Sequence, residues 1–304
     1  MTWMDIDTWM VLTAAMVAIA CVLPGCFLYL SRQSMMSHGI AHAVLPGIVI
    51  GHLASGEVET PALFVGAIVA GVACSLLTRF LQRVSGVEEG AALGVSFTFL
   101  FAVGLVLQRL LADNVHIEPS HVLMGNLETA IFDYTLSDAR APEAFWRALI
   151  TVGVNGAVVM LFFKELTYAT FDSRHAESVE ARPQLMYYLL MTLSALTCVI
   201  AFEAVGSILV VAMMIIPPAI ASFFTKKLKV LMLLALFNGV FSCVLGHILS
   251  ISVFGAIAEK VFQLESVGST NTAGGITVVL CLLLIASMVY QRMSQKLAKK
   301  KRPS

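Results

Sequence analysis

Charge is scarce in this sequence. Asp, Glu, Lys and Arg make up 12% of its 304 residues, about half the share found in soluble globular proteins. So little charge cannot cover a water-facing surface of this size, which excludes a soluble enzyme, a disordered chain and a nucleic-acid binder. A basic start is missing too. The first Lys or Arg is Arg32, so no cleavable signal peptide is expected. The six cysteines all lie in apolar runs and form no C-x-x-C pair. They read as small apolar fillers, with neither a disulfide framework nor a thiolate metal site expected. No G-x-x-x-x-G-K-[ST] loop is present, so any ATP drive must come from a separate subunit. H-E-x-x-H and G-x-S-x-G are absent as well. The chain is expected not to be an enzyme.

Apolar length is what the sequence has in quantity. Residues of the AVILMFWYC set account for 59% of it, and a helix needs about 20 mostly apolar residues to cross a bilayer. Nine runs qualify: about 9–30, 34–53, 61–81, 90–111, 145–163, 184–204, 205–224, 228–254 and 273–290. Only Glu203 and Gly206 mark a turn between the sixth and seventh. A broken helix there would leave eight crossings. The expected fold is therefore an all-α polytopic bundle of eight or nine transmembrane helices, one domain over 1–304.

Lys and Arg sort to the cytoplasmic side of a membrane. With the N-terminus outside and spans alternating, the inside holds Arg32, Arg79, Arg83, Lys164, Arg174, Arg182, Lys226, Lys227, Lys229 and the six basic residues from Arg292 onward. The outside holds Arg109, Arg140, Arg147 and Lys260. This bias favours an N-terminus outside, a cytoplasmic C-terminus and an odd number of crossings. Trp3, Trp9 and Trp146 fall at outer ends, and Tyr29, Tyr187, Tyr188 and Tyr290 at inner ones, as aromatic belts do. The basic tail 291–304 reads as a cytoplasmic anchor touching anionic lipid.

Small residues and prolines interrupt the spans. Gly47–Gly51 and Gly90–Gly94 are G-x-x-x-G pairs that suit close helix packing, including a dimer. Pro24, Pro46 and Pro217–Pro218 lie inside spans, where each removes a backbone hydrogen bond. Kinks of this kind occur at transport pathways and in ordinary membrane helices alike.

The informative polar residues are few. His38 and His42 are four apart in span two, on one helix face with Cβ atoms about 6 Å apart. Imidazoles suit divalent transition metals, and ionisable groups within a membrane face a bundle interior or a cavity. Two neutral histidines hydrogen-bonded to nearby backbone are the alternative. A metal would need further ligands from another helix or subunit. Glu203 at the outer end of span six could complete that set, attract cations, or simply occupy an interfacial turn. His247 reads as a core hydrogen-bonding residue, and His52 as one near the mouth of a pathway at most. The outer segment 112–144 is acidic, which fits cation gathering, partner docking or a solvated loop. The inner segment 164–183 is too polar to insert and long enough for one or two short helices. Asp172 there looks like an N-cap for a short helix over Ser173–Glu180, either a docking knob for a cytosolic motor or a connector.

The stretch SMMSHGIAHAVLPGIVIG (residues 34–51) resembles the hallmark segment of the permease subunits of manganese, zinc and iron ABC importers, with His42 through Gly47 matching closely. HVLMGNL (121–127), FDSRHA (171–176) and VGSILVVAMMIIPPAIASFFTKKL (205–228) resemble three further stretches of that family, in order. The resemblance implies a multi-pass protein of the bacterial plasma (inner) membrane that carries divalent manganese, zinc or iron by alternating access, with no tightly bound cofactor. It implies a second permease subunit, identical or not, and a dimer of cytosolic ABC ATPase subunits docked near Phe171, Asp172 and Ala176. An extracytoplasmic metal-binding protein would deliver the ion. His42, helped by His38, becomes the expected metal contact. His38 stands where the family carries an acidic residue, which tilts preference toward zinc or iron, because carboxylates suit manganese better. Val179–Glu180 and Thr272–Gly275 also depart from the family pattern. The alternative is a secondary divalent-cation transporter driven by an ion gradient. It would call for paired carboxylates at mid-span, which the sequence lacks.

Overall fold

The structure, a computed structural model, describes residues 5–55, 61–111, 127, 128, 130, 142–171, 183–254 and 271–300. Its elements are α1 (Asp5–Leu30), α2 (Met36–Ala43), α3 (Leu45–Ser55), α4 (Pro61–Ser85), α5 (Glu89–Leu111), α6 (Glu143–Leu161), α7 (Phe163–Phe171), α8 (Pro183–Val205), α9 (Ser207–Phe224), α10 (Leu228–Leu249) and α11 (Thr272–Lys300). A π-helical turn, Ser250–Phe254, follows α10. Among the described residues there is no strand, and nine helical stretches are long and apolar enough to cross a membrane. Closing every backbone hydrogen bond within a helix is how a chain satisfies its peptide groups in hydrocarbon. The chain is a multi-pass membrane protein.

α1 is the axis of the larger part of the bundle, packing against α6, α8, α9 and α10. Asn155 of α6 fixes one of these contacts. Its amide donates to the Ala20 carbonyl of α1 and to Thr197 Oγ1 of α8, both at 2.8 Å. The smaller part is α2–α5, joined to the rest mainly by α8 against α4 and α2. Its tightest seam is α3 on α4. A Cβ added at Gly47 would collide with the Gly66 carbonyl, and one at Gly66 with the Gly47 carbonyl. Lipid gives apolar helices no hydrophobic drive to associate, so such backbone-to-backbone approach supplies the dispersion energy that holds them.

Side-chain contacts sort the helix ends to two faces. Tyr29 OH and Ser222 Oγ share a hydrogen bond of 3.1 Å at the ends of α1 and α9, and Phe224 of α9 meets Tyr290 of α11. With Arg79, Lys226 and Lys229 at neighbouring helix ends, this is the basic face. At the opposite face Trp9 of α1 packs edge-on to Phe145 of α6, centroids 5.6 Å apart. α1 therefore starts at one face and α11 ends at the other, as an odd number of crossings requires.

The uncertain sixth and seventh spans are two complete helices. Gly206 alone separates α8 from α9, at φ 81°, a left-handed conformation that costs glycine little. The helices run antiparallel from it: Cys198 Sγ and Met214 Sδ, eight residues either side, are 3.7 Å apart. Span two is broken instead, at Val44. Pro46 has no N–H to offer the carbonyl of His42 four residues earlier, so α2 stops and α3 starts afresh. Pro24 and Pro217–Pro218 sit within continuous helices. The polar inner segment, long enough for one or two short helices, opens with one at Phe163–Phe171. It is amphipathic, burying Leu166 and setting Phe163 against Phe27 at 6.4 Å. The expected helix at Ser173–Glu180 lies outside the described residues. So does most of the segment 112–144. The basic tail begins as helix, because α11 continues to Lys300.

Candidate metal-contact site

His38 and His42 lie one turn apart on α2, and their rings meet edge to face with centroids 4.8 Å apart. The opposing surface is aromatic. On α5, Phe97 and Phe101 are also four residues apart and so share a face. Phe97 lies 6.3 Å from the His38 ring and 5.8 Å from that of His42, and Phe101 lies 6.0 Å from His42. Gly39 sets this register. A Cβ there would come within 2.6 Å of Leu93 Cδ1, so any larger residue would make the Leu93 side chain move. His42 is half-buried and His38 exposed. Neither imidazole has a hydrogen-bond partner among the described residues, which leaves ring nitrogens open to a cation. The sequence pointed to the histidines and missed Phe97 and Phe101. The only signal for the two rings was their spacing of four in the run FTFLF.

Two imidazoles do not complete a metal's coordination. Among the described residues no three or more His, Cys, Asp or Glu side chains come together as a metal site. Glu203, expected as a further ligand, is not gathered to the histidine pair. It lies at the opposite-face end of α8, where the Arg147 guanidinium of α6 binds its carboxylate. Arg147 also donates to Glu143 at 2.5 Å and lies 5.0 Å from the Phe64 ring centroid of α4. One cation thus gathers three helix ends, and electrostatics gives Glu203 a structural partner.

The other histidines stand apart. His52 is buried near the end of α3, about 15 Å along the helical rise from His42. His247 is the expected core hydrogen-bonding residue, 1% exposed. Its Nδ1 is 3.4 Å from Thr272 Oγ1, and its Nε2 3.4 Å from Asp7 Oδ1. Glu128 accepts from the Thr272 backbone N–H at 3.2 Å. This network ties α1, α10 and α11 together at the opposite face. Of the residues expected at an ATPase contact, Phe171 ends α7 with its ring exposed, while Asp172 and Ala176 lie outside the described residues. Cys21, Cys26, Cys74, Cys198 and Cys243 are buried thiols, as apolar fillers should be, and Cys281 is exposed.

Both its sequence and its fold relate the chain to known proteins. Residues 4–291 match the model of the ABC 3 transport family. The manganese transport system membrane protein MntD of Bacillus subtilis is 34% identical over 265 residues, covering 84% of this chain and 88% of that protein. The zinc transport system membrane protein TroD of Treponema pallidum is 36% identical over 264 residues, 84% of this chain and 70% of that one. Among solved structures, PsaBC from Streptococcus pneumoniae in complex with Fab superposes with a TM-score of 0.69 at 27% identity, covering 93% of this chain and 91% of that chain. By its sequence over nearly its whole length, the chain belongs to the ABC 3 transport family.

Proposed function

We propose that this protein is the membrane-spanning permease subunit of an ABC importer for divalent transition metal ions, manganese, zinc or iron. Relatives named as manganese, zinc and iron transport system membrane proteins support the cargo class. The observation that carries the reading is the His38–His42 pair, two imidazoles side by side in a broken transmembrane helix with no partner among the described residues. Unpaired ionisable groups at membrane depth are costly, and a passing cation would repay that cost. His42 is the principal contact and His38 its helper. Phe97 and Phe101 wall the imidazoles on the α5 side and limit water there, strengthening the electrostatic hold on the ion.

The basic face is the cytoplasmic one, by the sorting of Lys and Arg. Two separate ATPase subunits dock on it, reached through Phe171 and the following Asp172 and Ala176. A second permease subunit completes the pore, and an extracytoplasmic binding protein delivers metal to the opposite face. ATP binding and hydrolysis shift the bundle between outward- and inward-open states through contacts that differ between them. Replacing His42 by Ala in cells carrying the whole transport system tests the reading. Metal uptake is expected to be lost while the protein still reaches the membrane and retains its ATPase. Undiminished uptake would remove His42 from the mechanism.

A further inference from the structure

Between the histidine pair and the basic face, α5 carries a carboxylate. Glu89 is its first residue. Leu93 and Phe97, on the side of α5 that meets α2, continue a spacing of four that starts at Glu89. Leu93 lies against Gly39, and Phe97 lies against both imidazoles. Glu89 is thus about 12 Å along α5 from the ring that walls the histidines, displaced toward the basic face. An acid in the first turn of a helix commonly points outward, where it favours the helix dipole and water solvates both oxygens. Here Glu89 Oε1 is buried and accepts no hydrogen bond among the described residues. Such an atom costs free energy unless something uses it.

Arg79 of α4 interacts with Glu89 through space, but no direct ion pair joins them among the described residues. The guanidinium instead lies over the Tyr187 ring of α8, 3.6 Å from its centroid. A carboxylate oxygen is therefore left without a hydrogen bond at the start of the helix whose Phe97 and Phe101 line the imidazole pair.

We propose that Glu89 is an oxygen station for the ion leaving His38 and His42 toward the basic face, and that it weights selection toward harder ions. This rests on the reading of the histidine pair as the metal contact. Imidazole favours zinc, whereas carboxylate oxygen suits manganese. Glu89 would add a hard oxygen donor that the imidazole pair does not have.

Uptake of manganese and of zinc, measured separately in cells carrying the whole transport system with Glu89→Gln, tests the inference. Amounts are normalised to protein in the membrane. The expected result is a manganese-to-zinc uptake ratio about tenfold lower, with Glu89→Asp keeping the wild-type ratio. Equal loss for both metals, which a helix-capping or purely structural role would give, overturns the inference, as does no change in either. Should Glu89→Gln not reach the membrane, Glu89→His answers the same question: a swing toward zinc supports the station, and an unaltered ratio overturns it. His42→Ala separates the layers. Lost uptake there with an unshifted Glu89→Gln ratio overturns Glu89 alone. Full uptake in His42→Ala overturns the histidine reading and this inference with it.

Discussion

The two ends of the bundle treat their polar side chains differently. At the opposite face Arg147 holds Glu143 and Glu203, and His247 sits between Asp7 and Thr272 with Glu128 on the next backbone N–H. Each of these groups has a charged or polar partner, and apart from Arg147 with Glu143 inside α6 the contacts join separate helices or segments. Toward the basic face the imidazoles of His38 and His42 meet aromatic rings, and Glu89 keeps a buried oxygen unpaired. Closed polar networks hold helix ends in register. Open donor atoms do nothing for the fold and cost free energy, so they point to a ligand. On this contrast, changes at the opposite face should act on stability, and changes at the open groups on transport.

The largest stability effect should come from the seam that carries the histidine helix. Gly47→Leu would drive a side chain into the Gly66 carbonyl, and no rotamer relieves a clash that begins at Cβ. The expected cost is about 3 kcal/mol or more, read as loss of folded protein from the membrane and a lower Tm in detergent. Gly94→Ala is the control. A Cβ there meets nothing within 4 Å, so stability should move by less than about 1 kcal/mol. Equal tolerance of both changes would mean that α3 and α4 do not define the position of α2.

His247→Ala comes next. The ring is 1% exposed, and its removal leaves Asp7 and Thr272 facing a void. Leaving buried polar groups without partners costs about 1–3 kcal/mol. His42→Ala, at a half-buried ring with no hydrogen bond to lose, should unfold near the wild-type temperature yet fail to transport. Thermal unfolding and uptake measured on both variants would thus separate in opposite directions. A destabilised His42→Ala beside an unaffected His247→Ala would reverse the contrast.

Much of this was legible in the sequence, and what was not shares a cause. Apolar length located all nine spans, and Gly206 marked the reversal between α8 and α9. The four-residue spacing of His38 and His42 put them on one face before any neighbour was known. What faces them was not legible. In a water-soluble helix, apolar periodicity tells the buried side from the exposed one. In lipid both sides are apolar, so the spacing of four in FTFLF put Phe97 and Phe101 on one face but did not say that this face turns toward α2. Arg147 with Glu203, 56 positions apart, and His247 with Asp7 depend equally on which helices become neighbours. The length of the inner segment left room for a short helix such as α7, but its seat, the buried Leu166 and the Phe163–Phe27 contact, again depends on which helices become neighbours.

The smallest expected effect is the sharpest test at the opposite face. Glu203 was a candidate metal ligand on composition alone, and in the folded chain it belongs to Arg147. Its side chain is 49% exposed and that of Arg147 34%, so water screens the pair, and Glu203→Gln should cost no more than about 1 kcal/mol. Arg147→Met should cost more, because it leaves the carboxylates of Glu143 and Glu203 without their shared cation and uncovers Phe64. Neither change touches the histidine pair, so metal uptake per folded molecule should remain near wild type in both. The discriminating result is uptake lost in Glu203→Gln with its melting temperature unchanged. That outcome would make the carboxylate an ion contact despite its arginine, and pairing would no longer separate the residues that shape this bundle from those that serve its cargo.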